Sequence, residues 1–100
     1  MEKTIEQLQY PIGRFTMPKE VEHAEIMLAI EKIALLPSQV SKEIVGLNDD
    51  QLGTHYREGG WTIRQVVHHL ADSHMNAFIR FKLALSDDAP IIKPYEEALW

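Results

Sequence analysis

The chain has 100 residues, of which 45% are hydrophobic and 25% are charged, a composition typical of one globular domain and not of a disordered chain. Ten basic and fifteen acidic residues give a formal net charge of -5, so there is no electrostatic reason to expect binding to nucleic acid or to an anionic membrane, and small molecules or protein partners fit better. No run of roughly 18 apolar residues could span a membrane, and the first residues lack the apolar core of a signal peptide, so we expect a cytoplasmic protein.

The first half of the sequence predicts an arm followed by a long helix. Residues 1–17 combine prolines and a glycine with scattered apolar side chains, which indicates an irregular arm lying on the domain. Residues 18–47 are rich in helix formers and repeat apolar residues at spacings of three and four, which indicates a helix. Pro37 has no amide hydrogen, so it either kinks this helix or begins a second one. We favour the kink, because the apolar spacing continues beyond Pro37.

A short helical turn is predicted after the long helix. Asn48 and Gln51 have the spacing of a capping box, in which each side chain bonds the backbone amide of the other residue, and they predict a turn of helix over residues 49–53. A polar loop over residues 54–60 follows. It either lines a site or serves only as a connection.

The second half of the sequence predicts another long helix. Thr62 and Gln65 repeat the capping-box spacing, and the apolar pattern continues without glycine or proline, which predicts a helix over residues 62–86. Pro94 in a first turn predicts the start of a further helix over residues 94–100. Two long helices cannot hide both of their apolar faces from water, so we expect an all-α chain that forms part of a bundle.

The helix over residues 62–86 carries the candidate chemistry. Three histidines and an aspartate stand in its first turns, and a chain without cysteine must hold any metal with imidazole and carboxylate groups. One polar stripe of this helix, at spacings of four, three and four, is a candidate pocket wall. The stripe consists of His69, Ser73, Asn76 and Arg80.

The other polar residues of this helix have both a functional and an ordinary interpretation. His68 and Asp72 stand four residues apart, so the carboxylate either orients the imidazole, as behind a metal site, or forms a surface ion pair. His74 lies near the centre of the apolar face, between Leu70 and Phe81, so we expect it to point inward as an alternative ligand. Any of these histidines can equally be a hydrogen-bonded core or surface residue. No His-Glu-x-x-His signature, phosphate-binding loop or nucleophile elbow occurs.

One long string resembles a known family. From Gly59 to Asn76 the sequence reads Gly-Gly-Trp-Thr-Ile-Arg-Gln-Val-Val-His-His-Leu-Ala-Asp-Ser-His-Met-Asn, which resembles the YfiT-like branch of the DinB superfamily. Segments 10–13 and 94–96 extend the resemblance over most of the chain. It implies a four-helix bundle in up-down-down-up order, of which this chain supplies the first two long helices and the start of a third.

The resemblance also implies a function. Members of this family bind a divalent metal, usually zinc or nickel, through three histidines. They act as metal-dependent hydrolases, or as S-transferases that use bacillithiol or another low-molecular-weight thiol. The second histidine of the family's pair is a ligand and corresponds to His69. The other two ligands belong to a later His-x-x-x-His motif that has no counterpart here, so we expect the N-terminal part of a longer enzyme, catalytically inert by itself.

Two alternatives remain open from the sequence. The chain is either this enzyme fragment or a non-enzymatic helical module that forms a homodimer to complete a bundle. A third interpretation combines them, with His69 of two copies and further His or Asp side chains holding a metal across the dimer axis. Within the enzyme interpretation, the substrate and the choice between hydrolysis and thiol transfer stay open.

Overall fold

The fold is built on two long helices. The computed structural model describes residues 2–100, and within them the only pairing of extended backbone is an isolated antiparallel bridge between His55 and Thr62. The prediction of an all-α chain is therefore confirmed. The helices, in chain order, are α1 (Ile5–Gln9), α2 (His23–Ile44), α3 (Asp49–Leu52) and α4 (Ile63–Ser86).

Helix α4 begins where its capping box predicts. The Thr62 hydroxyl accepts a hydrogen bond from the Gln65 backbone amide at 3.2 Å, and the Gln65 side chain accepts one from the Thr62 amide at 2.9 Å. These two bonds satisfy amide groups that a helix start otherwise leaves without partners. Asn48 and Gln51 form the same pair of bonds at the start of α3. Both predicted capping boxes are confirmed.

Helix α2 is shorter than the predicted span of residues 18–47. It begins at His23, and its N-cap residue Glu22 makes no side-chain capping bond, so the sequence marks this boundary only weakly. It ends at Ile44, and Gly46 then adopts a φ of 83°, a left-handed conformation that favours glycine just after a helix. Pro37 lies inside α2 and does not divide it.

The N-terminal arm contains a helix that the analysis of residues 1–17 did not predict. Thr4 and Gln7 form a third capping box, with bonds of 3.1 and 2.8 Å, at the start of α1. The prediction of a wholly irregular arm is wrong, because the prolines and the glycine lie after Gln9, and Thr4 and Gln7 have the same Thr-x-x-Gln spacing that marks α4.

Residues 94–100 form a turn rather than the start of a helix. The turn covers residues 97–99, with one bond from the Leu99 amide to the Glu96 carbonyl at 2.9 Å. The predicted helix is absent because one such bond does not offset the entropy lost in fixing a first helical turn. The Tyr95 and Trp100 rings pack together with centroids 4.7 Å apart. The Arg80 guanidinium bonds the Lys93 carbonyl at 3.3 Å, which ties this segment back to α4.

An apolar groove of about 650 Å³ runs between α2 and α4. No side chain of residues 2–100 is fully buried, and large apolar side chains such as Ile33 and Phe78 are more than half exposed. The apolar residues that line the groove include Leu36, Val40 and Ile44 of α2, and Ile63, Val66, Val67 and Leu70 of α4.

None of the described helices has both the length and the apolar character needed to cross a bilayer.

Candidate functional site

The loop before α4 fixes the position of Trp61. The Tyr56 amide donates to the Trp61 carbonyl at 3.1 Å, and His55 Nδ1 lies 2.6 Å from the Gly60 carbonyl, a bond that requires the proton on Nδ1. A Cβ atom at Gly60 would lie 2.5 Å from Cγ of Arg57, so this close turn requires glycine. These contacts hold Trp61 in a defined position immediately before Thr62, the N-cap residue of α4.

His69 lies on α4 directly beside Trp61. The two rings meet edge to face, with centroids 4.7 Å apart and planes inclined by 69°. The His69 side chain is 29% exposed, and its Nε2 atom lies 3.7 Å from Oε2 of Glu97. The imidazole is thus held against an aromatic ring on one side and faces a carboxylate on the other, and it does not project into open solvent.

His69 opens into a cleft of about 330 Å³. The floor of the cleft is α4, and residues 97–100 form the opposite wall. The cleft is lined by both positively and negatively charged side chains, so its charge favours neither anionic nor cationic ligands. Its lining residues are Trp61, Arg64, Gln65, His68, His69, Asp72, Glu97, Ala98, Leu99 and Trp100.

His68 and Asp72 line this cleft, but the predicted interaction between them does not form. Within residues 2–100 no hydrogen bond or ion pair joins the His68 ring to the Asp72 carboxylate, and His68 is exposed. A role for either residue near a metal stays a prediction.

His74 is placed differently from the prediction. It was expected to point inward as an alternative ligand, but its side chain is exposed, and its Nδ1 atom lies 2.7 Å from the Leu70 carbonyl of the same helix. The apolar face that was expected to bury it is itself open, since Phe81 on that face is 70% exposed. His74 is therefore not covered by any other element among residues 2–100, and its role as an alternative ligand stays a prediction.

The remaining pocket candidates are half-buried but lie outside the lining of the His69 cleft. The Asn76 side chain donates to the Asp72 carbonyl at 2.8 Å, and Arg80 is engaged with the Lys93 carbonyl at 3.3 Å. Ser73 lies beside them on the same stripe of α4. Their role in substrate binding stays a prediction, and Arg80 has a structural partner.

Glu97 is the site residue that sequence reasoning missed. The sequence does not predict this pairing, because 28 positions separate Glu97 from His69 and no local spacing connects them. The two residues meet because the chain turns back after α4 and lies along it.

A complete metal site is not assembled within the described residues. No three His, Asp or Glu side chains converge at any point in residues 2–100, whereas catalytic zinc sites use three protein ligands. His69 Nε2 and the Glu97 carboxylate are of the right donor chemistry for a divalent metal, but they form only part of a ligand set.

Comparison with known families and proteins gives a consistent assignment. Residues 34–100 match the DinB superfamily. A Geobacillus kaustophilus protein named "putative metal-dependent hydrolase" is 50% identical over 97 residues, which cover 97% of this chain and 54% of that protein. A Bacillus cereus protein of the same name is 53% identical over 93 residues, which cover 93% of this chain and 54% of that protein.

A solved structure shares the fold. YfiT from Bacillus subtilis, described as a probable metal-dependent hydrolase with an unusual four-helix bundle topology, aligns with a TM-score of 0.89 and 45% sequence identity. The alignment covers 94% of this chain and 54% of YfiT, so the chain spans about half the length of the relatives it matches. The predicted resemblance is confirmed, and the chain belongs to the DinB superfamily, with a YfiT-like helical fold.

Proposed function

We propose that this chain is the N-terminal part of a metal-dependent hydrolase and that His69 supplies one ligand to its divalent metal. The names of the relatives support the reaction class, and their greater length means that hydrolysis belongs to the whole protein. The position of His69 in the structure supports its role as a ligand. It alone among the predicted ligands combines a half-buried ring with a nitrogen that faces the cleft.

The geometry of His69 is the observation that carries this proposal. A metal-binding imidazole must present one nitrogen in a fixed direction. The Trp61 ring packs against the His69 ring, with centroids 4.7 Å apart, and this contact restricts rotation of the imidazole. Nitrogen ligands of this type suit both zinc and nickel, and we propose one of these as the metal. Further ligands would have to come from outside residues 2–100, since no three donors converge within them.

The residues of this chain would bind the metal and orient the substrate. A bound metal with an open coordination position would lower the pKa of a bound water to about 7, or would bind a thiolate. Trp61 holds the imidazole, and residues 97–100 cover one side of the cleft. A volume of about 330 Å³ is at the lower end of the range for small-molecule sites. We therefore propose a small substrate, and a low-molecular-weight thiol as the co-substrate if the reaction is S-transfer.

Paramagnetic Co²⁺ added to the 100-residue chain tests the ligand role of His69. Histidine ring signals in the NMR spectrum should broaden first at His69, and His69→Ala should remove the tightest binding step. His74→Ala is the matched control and should leave the titration unchanged, because His74 lies outside the cleft. Broadening that is equal at all five histidines, or binding unaffected by His69→Ala, would contradict the proposal.

A second candidate function is a helical module that self-associates to complete a bundle. The open apolar groove between α2 and α4 favours it, because a second copy placed there would remove apolar side chains from water. Light scattering over a concentration series separates the two candidates. A concentration-dependent dimer without metal binding supports the module, and metal binding by a monomer supports the enzyme fragment.

A further inference from the structure

We infer that Arg64 binds a carboxylate group of the substrate in the cleft beside His69. The inference rests on the proposed function, because it takes this cleft as the substrate site. It narrows the proposed substrate from any small molecule to one that carries a carboxylate a few bonds from the reacting group. Arg64 is then a specificity-determining residue and takes no part in binding the metal.

The position of Arg64 is the first argument. Its side chain lines the same cleft of about 330 Å³ as the rings of His69 and Trp61. Arg64 and His69 are five residues apart on α4, about 7.5 Å along the helix axis. A small molecule can therefore contact the guanidinium with one end while its other end lies beside His69.

The second argument is that most hydrogen-bond donors of Arg64 are available. A guanidinium has several N–H donors, and among residues 2–100 they make a single bond, from a terminal nitrogen to Oδ1 of Asp49 at 3.2 Å. The Asp49 side chain is 99% exposed, and exposed ion pairs of this kind contribute little to stability. A substrate carboxylate can thus displace Asp49 by accepting two parallel N–H···O bonds from the guanidinium.

The third argument is the distribution of charge in the cleft, which favours a carboxylate over a phosphate. Although the lining has charges of both signs, they are separated: Asp72 lies eight residues beyond Arg64, about 12 Å along the axis of α4, and Glu97 lies beside His69. Arg64 is the only lysine or arginine among the described residues that line the cleft. A phosphate dianion would therefore have a second negative charge that no further lysine or arginine in the lining balances.

Two probes that differ in charge test this inference, phenylacetate and its neutral amide phenylacetamide. The apparent Kd of each is measured from the shift of the Trp61 indole N–H signal, at physiological salt and in metal-free buffer, so that neither probe binds through a metal. Phenylacetate should bind several-fold more tightly, because it alone offers Arg64 a charged acceptor. Equal binding of the two probes would overturn the inference, and tighter binding of phenyl phosphate than of phenylacetate would overturn the choice of a carboxylate.

Substitutions in the cleft and outside it give the second part of the test. Arg64→Gln should weaken phenylacetate binding by about tenfold, the low end of the effect of a hydrogen bond to a charged group, since Arg64 is 46% exposed. Arg64→Lys keeps the charge without the planar pair of donors, and its Kd should fall between those of Arg64→Gln and the unmodified chain. Lys82→Gln removes a positive charge of α4 outside the cleft lining and should alter the Kd by less than about twofold.

The Asp49→Asn variant separates this role of Arg64 from a structural one. It frees the guanidinium from its present partner and should strengthen phenylacetate binding by up to about fivefold. If Arg64 only joined α4 to α3, Asp49→Asn and Arg64→Gln would break the same ion pair and change probe binding in the same direction. Far-UV circular dichroism shows that each variant keeps its helices.

The outcomes for the metal and for the probe are independent. Weaker phenylacetate binding in both Asp49→Asn and Arg64→Gln, or equal effects of Arg64→Gln and Lys82→Gln, would overturn the inference. Loss of Co²⁺ binding in His69→Ala, with phenylacetate binding unaffected by Arg64→Gln, would overturn this inference alone. Co²⁺ binding unaffected by His69→Ala would overturn the proposed function and, with it, the assignment of a substrate carboxylate to Arg64.

Discussion

The edge-to-face contact between Trp61 and His69, with ring centroids 4.7 Å apart, joins the residue before the N-cap of α4 to a residue in the second turn of that helix. A capping box fixes the helix start between them, so the contact is determined by local sequence. The Gly-Gly-Trp-Thr string therefore does two things at once: it begins the helix and it orients the candidate ligand.

Trp61 should report metal binding through its fluorescence. In the Trp100→Phe variant, Trp61 is the remaining tryptophan, and Ni²⁺ bound at the adjacent imidazole should quench its emission, because the two rings are in contact. The quenching should saturate with a single Kd and disappear in Trp100→Phe combined with His69→Ala. Emission that does not change when Ni²⁺ is added would place the metal elsewhere.

Removing the N-cap of α4 should destabilise the fold. Thr62→Ala deletes the hydroxyl that accepts the Gln65 amide at 3.2 Å, and the expected loss is about 1 kcal/mol of the free energy of unfolding. Thr16→Ala, in the exposed arm, is the control and should change this free energy by less than about 0.5 kcal/mol. Urea unfolding followed by circular dichroism measures both, and equal effects would show that the cap is not what stabilises this helix.

Arg80 should stabilise the turn that carries Glu97. Arg80→Gln removes the bond to the Lys93 carbonyl, and hydrogen exchange of the Leu99 amide should become faster by up to about fivefold, the factor that corresponds to a hydrogen bond of ~1 kcal/mol. Arg64→Gln serves as the control, because among residues 2–100 the Arg64 side chain bonds only the exposed Asp49 carboxylate. If Leu99 exchanges at the same rate in all three proteins, Arg80 does not anchor the segment.

The local parts of the fold could be predicted from the sequence because short-range bonds determine them. The capping boxes at Asn48 and Thr62 were found from spacing alone, and the same spacing at Thr4 would have identified α1. The start of α2 was misplaced because Glu22 provides no capping bond. A capping pattern predicts the start of a helix only where a side chain bonds the backbone, and Glu22 makes no such bond.

The long-range parts of the site could not be predicted in this way. His74 was assigned to a buried face by its position on α4, but the spacing of apolar residues shows which side chains share a face and not whether another element covers that face. Glu97 reaches His69 only through the return of the chain after α4, which no periodicity records. The family resemblance singled out His69 as a candidate ligand, and the structure shows that Trp61 and Glu97 are its neighbours.

Equilibrium dialysis against Zn²⁺ tests whether His69 is the metal ligand of this chain. The unmodified chain and the His68→Ala and His74→Ala variants should retain Zn²⁺ with similar Kd values, whereas His69→Ala should retain none above the level of a chain without a site. Retention of Zn²⁺ by His69→Ala equal to that of the unmodified chain would show that other groups bind the metal.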